Sequence, residues 1–174
     1  TPFAAQLAGE AAAKAAVTML ETGNIINYID IDTPANIPLK LEVHNPQIGR
    51  DYASCSIIKD AGDDPDNTDG IQIFAKVSRR EDSQIIIDGG EGIGRITRKG
   101  LFGEIGQAAI NPVPRQMIEK EVRQVSPKGY DVLIYAPEGE AIGKKTFNEN
   151  IGIKGGISII GTKGIVYPMS EEPL

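Results

Sequence analysis

Apolar and polar positions alternate along most of this chain at the period of β-strands, and two runs switch to the period of a helix. Residues 2–21 are dominated by alanine and other strong helix formers, with Thr1 able to cap, Pro2 suited to a first turn and Gly23 to a stop, which predicts a helix. Its many alanines predict close packing against a sheet. Residues 24–31 and 37–43 read as strands separated by the turn cluster Thr33-Pro34-Ala35-Asn36. Residues 52–59 predict a strand with Ala53, Cys55 and Ile57 on one side, and the alternation of Ile71, Ile73, Ala75 and Val77 predicts a half-buried one. Residues 84–88 form a short strand that runs into a glycine loop. Asn111-Pro112-Val113-Pro114 is a helix entry, because Asn can cap and the prolines fix the first turn without removing a needed donor. The helix then covers residues 114–125, with Val113, Met117, Ile118, Glu121, Val122 and Val125 as a mostly apolar stripe. Residues 132–136 and 157–160 are the last strands. Two helices with seven or eight strands predict an α+β fold, a mixed sheet covered on one face by helices in a two-layer sandwich.

Composition narrows the class. The 174 residues show no break in character, so one domain over residues 1–174 is expected. Trp is absent and Phe and Tyr are few, so the core is expected to be built from branched aliphatics. A net charge of −6 argues against a broad nucleic-acid footprint, which needs clustered cations. Local basic candidates remain at Lys59, Arg95, Arg98, Lys99, Arg115, Lys144 and Lys145. The single Cys55 cannot form an internal disulfide, and Glu10 and Lys14 interrupt the alanine-rich start where a signal peptide would be apolar. No run approaches the roughly 20 apolar residues that span a bilayer. A cytoplasmic location without membrane partners is expected. His44 and Cys55 are each alone of their kind, so neither a Cys/His metal set nor a Ser-His-Asp relay is expected. Cys55 reads as a small packed hydrophobe, and His44 as a strand or turn residue.

Candidate chemistry is concentrated in three words between residues 59 and 115. The first, Lys59-Asp60-Ala61-Gly62-Asp63-Asp64-Pro65-Asp66-Asn67-Thr68, crowds carboxylates at the end of a strand. Such a cluster suits a base, a cation or substrate amides, and it also suits an acidic turn. A calcium loop does not fit, since Asp69 and Ala75 stand where its glycine and bidentate glutamate belong. The second, Gly89-Gly90-Glu91-Gly92-Ile93-Gly94-Arg95-Ile96-Thr97, lacks dinucleotide spacing, because Arg95 occupies the place of the third glycine. Its amides and the basic residues Arg95, Arg98 and Lys99 suggest a carboxylate cradle, with a tight turn and solvated charges as the plainer alternative. The third, Ala108-Ala109-Ile110-Asn111-Pro112-Val113-Pro114-Arg115, places Arg115 at a helix start, where free amides favour an anion. All three words are expected to converge on one cleft.

In this order, the three words resemble the cobalt-precorrin-5B C1-methyltransferases, the CbiD proteins of anaerobic cobalamin synthesis. The likeness continues through Pro137, Gly139, residues 144–148, Gly152, Gly155-Gly156-Ile157-Ser158 and Gly161-Thr162-Lys163-Gly164-Ile165-Val166 to Pro168-Met169-Ser170. It implies a domain similar to the second domain of a ribosomal small-subunit protein. It also implies transfer of a methyl group from S-adenosylmethionine to C1 of cobalt-precorrin-5B, giving cobalt-precorrin-6A. The substrate implied is a cobalt corrinoid fringed with acetates and propionates. On this resemblance Lys59, Asp64, Gly90, Gly92, Gly94, Arg95, Thr97, Asn111 and Arg115 are expected to bind substrate. Asp60 and Asp63 are expected to assist a proton movement at the ring or to steady the cationic donor. The family opens with a Thr-Thr-Gly-Thr-Cys-type word where this chain has Ala4-Ala5-Gln6-Leu7-Ala8, and it continues past Pro-Met-Ser into a region expected to carry the donor site.

Two other classes compete with the enzyme reading. One is a non-catalytic corrinoid- or anion-binding module. The other is a nucleotide-phosphate enzyme with the Gly89 loop as cradle and Asp63, Asp64 and Asp66 for magnesium, weakened by the missing Gly-Lys-Ser/Thr ending.

Overall fold

The structure is a computed structural model that describes residues 5–33, 36–59, 70–101, 103–144 and 152–159. In chain order its elements are α1 (Ala5–Thr22), β1 (Tyr28–Asp32), β2 (Pro38–Glu42), β3 (His44–Ile48), β4 (Tyr52–Ile58), β5 (Gln72–Arg79), β6 (Ile85–Gly89), β7 (Arg95–Ile96), α2 (Pro112–Val125), β8 (Tyr130–Tyr135), α3 (Gly139–Gly143) and β9 (Ile153–Lys154). The architecture is α+β. A five-stranded sheet in the order β3-β4-β5-β8-β6 is antiparallel except at its end, where β6 and β8 run parallel. Parallel neighbours need a crossover, and the segment carrying α2 supplies it. A β1–β2 hairpin and a short β7–β9 pair complete the described strands.

The alternation along the strands turns into one buried face. Ala53, Cys55 and Ile57 of β4, Ile73, Ala75 and Val77 of β5, Tyr130, Val132 and Ile134 of β8, and Ile87 of β6 are in register and buried. Helix α1 packs against β4 and β5, touches β1 and meets α2. Residues 8–13 of α1 are buried without a break, wider than a single helix face, so the alanines serve close contact on several sides at once. Cys55 donates its thiol to Ala12 O at 3.3 Å, and burial pushes that thiol up to about 12, which leaves it an inert core residue. No helix among the described residues is long and apolar enough to cross a membrane.

Four expectations change. Residues 157–159 form isolated bridges rather than a strand: Ile157 pairs with Ile93 and Ile159 with Ile110, two separate segments that cannot together make a ladder, and Ile160 lies outside the described residues. Strand β3 carries Pro46 and a register shift between His44 and Gln47, with Asn45 at φ 52°, so its sequence hides its extended course. Its place at the sheet edge tolerates both features. Helix α2 begins at Pro112, two residues early, with Asn111 Oδ1 accepting from Val113 N at 3.4 Å as the entry word predicts. The third helix, α3, is too short to show a period.

Candidate functional site

The carboxyl ends of β4, β6 and β8 open on the same end of the sheet, and this shared end gathers the described parts of the three words. Lys59 follows β4, is 8% exposed, and exchanges backbone bonds with Ile71 and Gly70, so it closes the base of the acidic word. Asp60, Asp63 and Asp64 lie outside the described residues. Gly89 pairs with Ile134 of β8, and Gly90 N continues the ladder to Ile134 O at 2.8 Å. Lys59 and the glycine loop are therefore three strand spacings apart, about 14 Å.

Gly90, Gly92 and Gly94 sit in a loop whose backbone is largely bonded within the fold. Gly90 N is bonded to Ile134 O, Ile93 N to Gly90 O and Gly94 N to Ile157 O. Gly92 stands at φ 79°, and its carbonyl accepts from Ile157 N at 2.9 Å. A Cβ on Gly92 would run into Ala136 O, while one on Gly139 or Gly156 would run into Gly92 O. Gly139 and Gly156 thus pack on the Gly92 carbonyl while Gly92 packs on that of Ala136, and glycine is needed at each for close backbone approach. The amides expected to meet a ligand largely hold the turn together. Thr97 turns away as well, its hydroxyl and amide both donating to Gly152 O at 2.7 Å.

The two arginines meet around β6. Arg95 donates through Nη1 to Asp88 Oδ1 at 2.9 Å and through Nη2 to Gly89 O at 2.6 Å. Asp88 Oδ1 also accepts from Gly89 N at 2.8 Å. Arg115 reaches from the first turn of α2 and donates through Nε to Ile110 O at 2.9 Å and through Nη1 to Ile87 O at 2.7 Å. Burial pushes the Arg115 guanidinium below its ordinary value, the Asp88 carboxylate offsets this and the Arg95 charge adds to it, so the three groups share one electrostatic corner. Arg115 was expected as an anion ligand, yet its fork is engaged with backbone carbonyls and fixes the start of α2 against β6. Arg95 is the more open of the two, its side chain 43% exposed beside an Asp88 side chain that is 58% exposed.

Comparison with known proteins identifies the family. The CbiD family model matches residues 4–168. The chain belongs to the CbiD family. A cobalt-precorrin-5B C(1)-methyltransferase of Alkaliphilus oremlandii is 75% identical over 94% of this chain and 46% of that relative. Its counterpart in Treponema denticola is 61% identical over the same shares. The crystal structure of a cobalamin biosynthesis protein, cbiD, from Archaeoglobus fulgidus matches with a TM-score of 0.64 at 30% identity, over 92% of this chain and 53% of that one. The chain spans about half the length of the curated relatives it matches.

Within this CbiD domain, sequence reasoning passed over Asp88 and Tyr135. Asp88 read as the last residue of a strand, and only its position directly before the glycine run hinted at the corner. Tyr135 stacks on Phe74 with ring centroids 5.0 Å apart and 12° between planes, and Gly90 packs against its base. Burial raises the Tyr135 hydroxyl above its ordinary value, with smaller contributions from Cys55, Tyr52 and Glu91. No spacing rule links these residues, since they belong to strands distant in sequence.

Proposed function

We propose that this chain is part of an S-adenosylmethionine-dependent methyltransferase that methylates C1 of cobalt-precorrin-5B to give cobalt-precorrin-6A. The observation that carries this reading is the shared name of its relatives, which holds at up to 75% identity across nearly the whole chain. The substrate's acetate and propionate fringe suits the Arg95 corner, where two guanidiniums face one carboxylate.

A sulfonium donor supplies a methyl group that leaves with little covalent help. What the protein must add is orientation of the ring carbon, which is worth several powers of ten in rate. The described glycine run does not fit the donor as a cradle, because its amides and carbonyls are tied to Ile134, Ile157 and Ala109. The role assigned to this chain is therefore to hold the macrocycle. Arg95 grips a peripheral carboxylate, and Arg115 and Asn111 fix the start of α2 beside it. Lys59 extends the grip towards β4. For residues outside the described ones, the family resemblance implies Asp64 as a substrate ligand, with Asp60 or Asp63 assisting a proton movement at the ring or steadying the cationic donor.

The test is incubation of the complete enzyme that contains this chain with cobalt-precorrin-5B and methyl-labelled S-adenosylmethionine, followed by mass spectrometry of the corrinoid. Gain of one labelled methyl at C1 is the expected result for the complete enzyme. Corrinoid binding without transfer would instead support the binding-module alternative, and absence of both would end the corrinoid reading.

A further inference from the structure

We propose that Asp88 sets the affinity of the Arg95 corner, acting as a resident counter-ion that an incoming carboxylate must displace. The inference rests on the reading of the site as a holder of carboxylates. Arg95 is anchored by Asp88, by the Gly89 carbonyl and by a long bond from Nη1 to Gly106 O at 3.5 Å, and only the first of these contacts is with a charge. The Arg95–Asp88 pair is open to solvent on both sides, and exposed pairs of this kind contribute little to stability. A ligand carboxylate can therefore replace Asp88 on Nη1 while the bond from Nη2 to Gly89 O keeps the guanidinium in place. The Nη2 side of the fork stays with Gly89 O, so the incoming carboxylate makes a single charge-assisted contact on Nη1.

Arg115 cannot substitute for this role, because its donors are engaged with Ile87 and Ile110. It contributes a fixed positive charge nearby. With two guanidiniums and one carboxylate the corner carries a net single positive charge, and Asp88 is what keeps it from carrying two. Asp88 has a separate structural task, accepting from Gly89 N. Asparagine preserves that acceptor while removing the charge, so Asp88→Asn isolates the electrostatic role.

The experiment is a calorimetric titration of the parent, Asp88→Asn and Asp131→Asn proteins with cobyrinic acid, a corrinoid with free peripheral carboxylates, at low and high salt. Asp131 lies on β8 beside Tyr130, at the opposite end of the sheet, and pairs with Arg80, so its variant makes the same change in net charge away from the corner. Asp88→Asn is expected to bind about fivefold more tightly at low salt, the upper end of what an exposed ion pair that no longer has to be broken contributes. The gain should shrink at high salt, and Asp131→Asn should stay within about twofold of the parent. Equal gains in both variants would overturn the proposal by showing a long-range effect of net charge. A parent that binds while Asp88→Asn binds no better would overturn it and leave the corrinoid reading standing. Failure of every protein in the set to bind cobyrinic acid would overturn both.

Discussion

Arg95 and Arg115 are alike in sequence as basic residues next to special turns, yet their surroundings assign them opposite kinds of work. Arg115 is half-buried, and its removal would leave the Ile87 and Ile110 carbonyls without their donor. Arg115→Ala should therefore lower stability by about 2–3 kcal/mol in chemical denaturation, whereas Arg95→Ala should cost under about 1 kcal/mol. Equal losses in the two variants would contradict the division of roles. Gly92 makes a second case. Gly100 also has a positive φ, 90°, but nothing lies within 4 Å of an added Cβ, so Gly100→Ala should cost only the backbone penalty of about 1–2 kcal/mol. At Gly92 that penalty is joined by a collision with Ala136 O, and Gly92→Ala should lower soluble yield and shift the thermal midpoint well beyond the Gly100→Ala value. The glycine word was legible as a place where backbones come close. What approaches them was not, since a missing side chain makes room for a carbonyl or for a ligand alike.

Helices α1 and α2 are joined by a buried polar cluster that their sequences disguise. Glu10 stands as an interruption in an alanine run and Glu121 as a blemish in an apolar stripe, but both are fully buried. Glu121 receives Lys14 Nζ at 3.1 Å and accepts from Asp32 N at 3.2 Å, while Lys14 also donates to Asp30 O at 2.6 Å. Among the described residues, Glu10 has only a long bond from Gln6, at 3.5 Å. Burial pushes the Glu10 carboxyl up to about 8, and the neighbouring Glu121 adds to the rise against smaller opposing effects of Gln6, Lys120 and Lys14. A carboxyl raised in the folded state holds its proton more tightly there than in the unfolded chain. Its contribution is thus complete below about 4.5 and is lost, at about 1.4 kcal/mol per pH unit, as pH climbs to about 8. Glu21 has the opposite sign: burial pushes it up, but hydrogen bonds from Tyr130, Arg79 and Lys128 outweigh this and hold it at about 2. Stability from these donors is present above 4.5 and falls away towards 2. Thermal melts across pH should show Glu10→Gln flattening the alkaline limb and leaving the acid limb intact. Persistence of the alkaline slope in that variant would assign it to another group. The strands β4, β5 and β8 were legible because period two records burial directly, whereas β7, β9 and α3 span too few residues to record anything.

At the level of the whole molecule, the amides and carbonyls of the described glycine run are engaged with neighbouring segments. A donor of this size needs a pocket of some 300 Å³ with groups for its adenine, ribose and amino acid, and the glycine run that might have served is closed by its own packing. The 174-residue protein is expected to show no saturable micromolar binding of S-adenosylmethionine in a calorimetric titration. Saturation in that range would place a donor site here after all. The α+β class could be anticipated from the helices and strands the sequence predicts, and the clustering of the described parts of the three words at one end of the sheet from their shared chemistry. Which groups would be free at that end could not, because this depends on partners brought together by folding. One further consequence concerns the rim of the sheet. Strand β6 is outermost, and an outermost strand offers its unpaired carbonyls to any neighbouring strand that drifts past. Arg115 occupies Ile87 O and Arg95 occupies Gly89 O, so two bulky cations stand along that border. Losing both together should raise self-association with rising concentration above that of the parent, visible in light scattering, because the same two side chains that cap these carbonyls also keep the sheet from recruiting a copy of itself.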